Sequence, residues 1–198
     1  MPAHTSTRIR LDALALGLSA LLFTAFPLVR PFFRLDPRSP DETLAAASPL
    51  ITSGPWVLAH LMVTLAFVLL LYGMLALYAR LAAVPRGPSP ILGLVLSLAG
   101  IALIMPMLGV ETFILPIVGL MFLFALLLLA VGSISFARAI WRSGVLPRGA
   151  GVLLAIGLAL WFPPFPALIR IVDGFVIGAG GVWLAWAMWR ETVPDTQA

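Results

Sequence analysis

Six long apolar stretches, separated by short segments that carry nearly all of the charge, constrain this chain more than any other feature. They run over Leu11–Val29, Trp56–Tyr78, Ile91–Gly109, Phe113–Phe136, Val152–Ala167 and Val172–Trp189. About twenty apolar residues, rising roughly 1.5 Å each, cross the hydrocarbon core of a bilayer as a helix. Because backbone groups cannot stay unpaired in lipid, each stretch is predicted to be helical. The sequence therefore predicts an all-α integral membrane protein, a six-transmembrane-helix bundle that forms one domain over residues 1–198.

The composition supports lipid as the surrounding solvent and excludes several classes of protein. Hydrophobic residues make up 62% of the chain and charged residues only 10%, whereas soluble domains carry about 25% charge. Cysteine is absent, so disulfides, thiolate catalysis and iron–sulfur clusters are excluded. The arginines are scattered between the apolar stretches and do not cluster with aromatic residues, so we predict no nucleic-acid partner. No cofactor motif occurs, and no cofactor is predicted.

The placement of arginine predicts the orientation of the helices. The N-terminus, the second and fourth loops and the C-terminal tail together hold eight arginines against three acidic residues, a net charge of +5, while the opposite side holds four against five, a net charge of −1. Cytoplasmic segments carry the excess of positive charge in membrane proteins. We therefore expect a multi-pass protein of the bacterial inner (plasma) membrane with both termini in the cytoplasm.

The first outer loop, residues 30–55, is the longest segment between predicted helices. Its sequence Ser-Pro-Asp-Glu at 39–42 has an N-cap serine, a proline at the first helical position and a glutamate at the third. This pattern predicts a short interfacial helix near residues 40–47. A solvated linker with a single helical turn is the alternative.

Two parts of the chain resemble each other at an offset of 62 residues. The motif Pro-Arg-Gly occurs at 85–87 and again at 147–149, and Glu111 corresponds to Asp173. The repeating unit would be a helical hairpin with a basic cytoplasmic turn. Because each unit contains two spans, the repeat would be parallel rather than inverted.

Four ionisable residues are predicted to lie at the same depth near the outer side of the membrane: His60, Glu111, Arg170 and Asp173. Ionisable groups at such positions are costly and usually face the interior of the bundle or water. Taken singly, each has a structural explanation, since Glu111 and Asp173 could cap helices and His60 could bond a helix carbonyl. Together they predict an outward-facing polar cluster.

Three uses of this polar cluster are open. It could form a pocket that binds an outer ligand or passes one inward, with Arg170 holding an anion and the carboxylates handling cations or protons. It could hold a metal through one histidine and two carboxylates, although the spacing matches no metal-binding motif and no metal is predicted. It could also be an ion-pair lock that fixes helix ends together.

Proline and glycine add two local predictions. Three prolines between residues 163 and 166 predict either a broken outer half of the fifth span or an exit loop after a short one. Gly174, Gly178 and Gly181 form a small-residue face on the sixth span, which predicts close helix packing. With five other spans available, packing within the chain is favoured over dimerisation.

The functional prediction is a non-catalytic binding, transport or accessory role that uses the outward-facing polar cluster. The expected partners are the lipid bilayer and a small-molecule or ion ligand at the outer face; the oligomeric state stays open. One alternative is a membrane-embedded enzyme in which His60 and a carboxylate perform acid–base or metal-assisted chemistry. Another is a structural partner subunit with no small-molecule site.

Overall fold

The computed structural model describes residues 3–30, 53–84, 90–108, 116–161 and 167–190, and within these ranges the chain forms α-helices and no strands. Six helices, numbered here in chain order, are α1 (Ala3–Val29), α2 (Gly54–Ala82), α3 (Ile91–Ile104), α4 (Pro116–Ser143), α5 (Arg148–Leu160) and α6 (Ala167–Arg190). Each of the six predicted spans overlaps one of these helices. The all-helical architecture is therefore confirmed for the described residues.

Four of the helices, α1, α2, α4 and α6, are long and apolar enough to cross a membrane. Helices α3 and α5 are apolar but have only 14 and 13 residues. At about 1.5 Å per residue they extend roughly 20 Å, short of the roughly 30 Å hydrocarbon core. The chain thus has the composition and helices of a membrane protein, while the predicted count of six spans stays a prediction.

Proline accounts for where the two short helices differ from the predicted spans. The helix α3 gives way to a 3₁₀ turn, Met105–Met107, at Pro106, whose ring removes a backbone donor. The helix α5 begins at Arg148 and ends at Leu160, whereas the predicted span ran from Val152 to Ala167. The helix therefore stops before the proline-rich segment, and residues 162–166 lie outside the described ranges.

The helices pack in an order that differs from their order in the chain. The first helix, α1, lies between α2 and α6 and packs extensively against both. The order then continues through α5 and α4 to α3, and α2 contacts α3 and α4 only sparsely. The N-terminal helix α1 therefore lies between α2, which follows it in the chain, and α6, the last helix.

Large apolar side chains cover much of the outside of this assembly. Leu120 and Leu168 are 67% and 72% exposed, and every long helix carries several large apolar side chains that are exposed. Soluble monomers rarely expose apolar patches of more than a few hundred Å². Contact with lipid acyl chains explains these side chains, which agrees with a membrane-embedded protein.

Arginine contacts show which helix ends lie together. The guanidinium of Arg10 lies 5.5 Å from the centre of the Trp189 ring, and Arg80 Nη2 donates a hydrogen bond to the carbonyl oxygen of Met188 at 3.5 Å. The start of α1 and the ends of α2 and α6 are therefore neighbours, and we call this the arginine end. The predicted topology requires these three helix ends to share one side of the membrane.

The small-residue face of α6 packs against α1. A Cβ atom at Gly174 would lie 2.9 Å from Pro27 Cγ, and one at Gly181 would lie 2.5 Å from Ala20 Cβ. At Gly178 the added atom would overlap Thr24 Oγ1. The glycines therefore allow the backbones of α1 and α6 to approach closely within one chain.

The 62-residue repeat stays a prediction. At that offset the start of α3 at Ile91 corresponds to residue 153, since 91 plus 62 is 153, but α5 begins at Arg148. The contact between α4 and α5 is also far more extensive than the corresponding contact between α2 and α3. The predicted interfacial helix near residues 40–47 lies outside the described ranges.

Candidate functional site

Arg170 and Asp173 lie near the start of α6 and border the same small cavity. Its other walls are Phe23, Phe26 and Pro27 from α1, Trp161 just after α5, and Gly174. The cavity measures about 10 Å³, which is room for about one water molecule. The structure therefore brings two of the four predicted site residues together.

The carboxylate of Asp173 is the most constrained polar group in this cavity. The side chain is only 4% exposed, and its Oδ1 atom has no hydrogen-bond partner among the described residues. A buried polar atom without a partner costs free energy, so such atoms usually face a water molecule or a ligand. The cavity beside Asp173 is a place where either could sit.

Arg30, the residue after the end of α1, joins this group. Its charge acts on both Arg170 and His60, and its guanidinium lies 5.8 Å from the centre of the Phe26 ring. We call Arg30, Arg170 and Asp173 the outer cluster. Two arginines and one carboxylate give the outer cluster a net charge of +1, counted over these three residues.

Sequence reasoning assigned Arg30 to the first outer loop and missed its role here. The available signal was its position: it follows Val29 directly, at the same predicted depth as Arg170. Only the packing of α1 against α6 shows that the two arginines are neighbours.

His60 is held by its own helix. Its Nδ1 atom lies 2.8 Å from the carbonyl oxygen of Trp56, and since a carbonyl can only accept, Nδ1 carries the hydrogen and donates it. The imidazole also stacks on the Trp56 ring, with 3.6 Å between ring centres. His60 is not among the residues that border the cavity, although the charge of Arg30 acts on it, and its grouping with Arg170 and Asp173 stays a prediction.

Glu111, the fourth predicted site residue, lies outside the described ranges, and convergence of all four side chains stays a prediction. Among the described residues, no three His, Asp or Glu side chains lie close enough together to hold a metal ion. A site made of one histidine and two carboxylates would therefore depend on Glu111.

Trp161 is the second residue whose importance the sequence did not reveal. Its ring lies edge-on to Phe67 of α2 at 5.1 Å and to Phe23 of α1 at 6.0 Å, and it also approaches Phe122 of α4 at 6.5 Å. Edge-to-face aromatic pairs at such distances stabilise a core beyond the burial of area. Trp161 thus connects α1, α2 and α4 while bordering the cavity of the outer cluster.

A hydrogen bond fixes the helices that carry the outer cluster. Thr24 Oγ1 lies 3.0 Å from the carbonyl oxygen of Gly174 and 3.0 Å from that of Ala20. Gly174 directly follows Asp173, so this contact holds the start of α6 against α1. The positions of Arg30 and Asp173 relative to one another therefore follow from the packing of α1 and α6.

Comparisons of the chain with protein-family models, curated proteins and solved structures found no match.

Proposed function

We propose that this is a six-span, single-domain protein of the bacterial inner membrane with both termini in the cytoplasm and a non-catalytic binding, transport or accessory role. In this proposal the outer cluster faces away from the cytoplasm and binds a small inorganic anion such as a halide. The observation that carries the proposal is that Arg170 and the buried carboxylate of Asp173 border one small cavity, with the charge of Arg30 acting on Arg170. In surroundings of low dielectric constant, the positive charge of a guanidinium group favours an anionic ligand.

The size of the cavity limits the ligand. A space of about 10 Å³ suits a body near the size of a water molecule, so a monatomic anion fits better than an organic one. A carboxylate from Glu111 beside the outer cluster would lower the net positive charge of that cluster.

The proposal is tested by thermal unfolding of the purified protein at constant ionic strength, with chloride replacing gluconate. A ligand at about ten times its dissociation constant stabilises the folded state by roughly 1.4 kcal/mol, which for a chain of this size raises Tm by about 3–6 °C. We expect a saturable rise of this order in the native protein and none in Arg170→Gln. Arg142→Gln, which removes a charge in the last turn of α4, is the matched control and should keep the rise. Equal Tm values in chloride and gluconate would contradict anion binding.

A structural role is the second candidate, because the small cavity and the hydrogen bond from Thr24 to Gly174 also suit an ion-pair lock between α1 and α6. A lock predicts that Arg170→Gln lowers Tm by the same amount in chloride and in gluconate. The enzyme alternative has less support, since His60 is bonded and stacked on Trp56 and does not border the cavity.

A further inference from the structure

A long apolar groove runs along the outside of α1 and α6, away from the outer cluster. Its volume is about 730 Å³, and it is lined by α1 from Leu11 to Leu21, by Leu69 of α2, and by α6 from Val182 to Trp189. The ten-residue advance from Leu11 to Leu21 corresponds to roughly 15 Å of helix. That is about half of the hydrocarbon core, the thickness of one leaflet.

The groove exists because small residues lie where α1 and α6 meet. Ala13 and Ala185 are buried at its base, and a Cβ atom at Gly17 would lie 3.2 Å from Ala185 Cβ. Larger side chains such as Leu14 and Leu18 stand exposed along its edge. The result is a shallow, open apolar groove along the contact between α1 and α6.

Positive charge is concentrated at one end of this groove. The guanidinium of Arg190 lies 3.9 Å from the centre of the Trp186 ring, and that of Arg10 lies 5.5 Å from the centre of the Trp189 ring. Both tryptophans line the groove. Cation–π contacts of this kind hold a guanidinium at a fixed position, so two positive charges lie at this end of the groove.

We infer that this groove binds one anionic phospholipid. An acyl chain lies between α1 and α6, and the phosphate sits between Arg10 and Arg190 at the membrane surface. The apolar length matches one leaflet, and the charge at its end complements an anionic headgroup, as basic pockets between membrane helices do for such lipids. This inference concerns the arginine end and does not depend on anion binding at the outer cluster.

The test is native mass spectrometry of the purified protein in neutral detergent, titrated with phosphatidylglycerol and with phosphatidylcholine of the same acyl chains. Juxtamembrane arginines each strengthen the attraction to anionic lipid, so we expect phosphatidylglycerol to bind more tightly by a factor on the order of ten. The double variant Arg10→Gln/Arg190→Gln should lose this preference and bind both lipids equally. Equal binding of both lipids by the native protein would overturn the inference.

The matched control is Arg142→Gln/Arg148→Gln. Arg148 also lies 5.5 Å from the centre of a tryptophan ring, that of Trp141, but the neighbouring groove is only about 320 Å³. This variant removes the same amount of charge and should keep the preference for phosphatidylglycerol. A loss equal to that of the Arg10/Arg190 variant would show a general surface-charge effect and overturn the site.

A second variant keeps the inference falsifiable if the double arginine variant fails to fold. Leu18→Trp enlarges an exposed side chain that lines the groove and leaves the arginines in place. It should reduce the number of tightly bound phosphatidylglycerol molecules by one. An unchanged number would overturn the inference, as would a dimer of the chain that Leu18→Trp disrupts, since a second copy would then occupy the groove.

Discussion

Asp173 shows how one side chain sets the character of the outer cluster. Its carboxylate is buried between α1 and α6, with an oxygen that lacks a hydrogen-bond partner among the described residues. The charge of Arg170 acts on it directly, and the charge of Arg30 acts on Arg170. Asp173 is therefore the only described acidic group that offsets the repulsion between the two arginines.

Replacing Asp173 by asparagine should destabilise the protein without changing its shape. Asparagine preserves the volume but removes the negative charge that acts on Arg170. Asp173 is buried and lies within electrostatic reach of Arg170, and a substitution at such a site typically costs about 1 kcal/mol, so we expect a loss of about 1 kcal/mol in the free energy of unfolding, measured by SDS titration in mixed micelles. Asp12→Asn, at the start of α1, serves as the control with an expected change within about 0.5 kcal/mol. Equal effects of both substitutions would contradict the role assigned to Asp173.

The contribution of individual residues could be predicted only in part. Arg170 and Asp173 were recognisable because they are three residues apart on one helix and ionisable near a membrane. Arg30 and Trp161 were not, because their neighbours come from helices distant in sequence. His60 contacts Trp56 of its own helix. The spacing of residues in the sequence could not show whether His60 makes this local contact or contributes to a shared site.

The contact between α1 and α6 positions both the outer cluster and the apolar groove. Thr24 meets Gly178 and Gly174 toward one end, and Gly17 meets Ala185 toward the other. The rising residue numbers on α1 pair with falling numbers on α6, so the two helices are antiparallel. Small residues at this contact let the backbones approach, as membrane helices commonly do.

Adding one methyl group at Gly178 should weaken this contact. Gly178→Ala would place a Cβ atom in overlap with Thr24 Oγ1, and overpacking of this kind costs about 1–3 kcal/mol. The double variant Thr24→Ala/Gly178→Ala removes the overlapping oxygen, so we expect it to be more stable than the sum of the two single effects predicts. SDS titration of the four proteins gives the coupling energy. Strict additivity would contradict the close approach at this position.

A matched control is available at Gly54, where an added Cβ atom meets nothing within 4 Å. Gly54→Ala should leave stability unchanged or raise it slightly, since alanine favours the helix more than glycine. A loss as large as that of Gly178→Ala would indicate a general cost of replacing glycine in this chain.

The existence of the helices could be predicted from hydrophobicity alone, whereas the ends of α5 could not. The run Arg-Gly-Ala-Gly at 148–151 contains two poor helix formers, yet it is helical because Ala150 and Gly151 pack in the interior. At the other end, Leu160 and Trp161 continue the apolar pattern, but the helix ends at Leu160, ahead of prolines that disfavour a helix. Tertiary packing and proline therefore override the apolar pattern at both ends.

At the level of the whole protein, charged residues lie in two groups at opposite ends of the helices. Arg10, Arg80 and Arg190 lie together at the arginine end, while Arg30, Arg170 and Asp173 lie at the opposite ends of α1 and α6. In the proposed topology, the arginine end faces the cytoplasm, as the positive-inside rule predicts. The proposed anion site at the outer cluster and the proposed lipid site at the arginine end both require the helices to cross the bilayer in this orientation.

Accessibility of single cysteines in intact cells tests this topology most directly, because the chain has no cysteine of its own. One cysteine at a time is placed between successive helices, and a membrane-impermeant maleimide is added: Ala46→Cys, Gly87→Cys, Val110→Cys, Val145→Cys and Phe165→Cys. Six crossings with a cytoplasmic N-terminus predict labelling of intact cells at 46, 110 and 165, and labelling at 87 and 145 only after permeabilisation. Labelling of positions 87 and 145 in intact cells, or protection of 110 and 165, would contradict it.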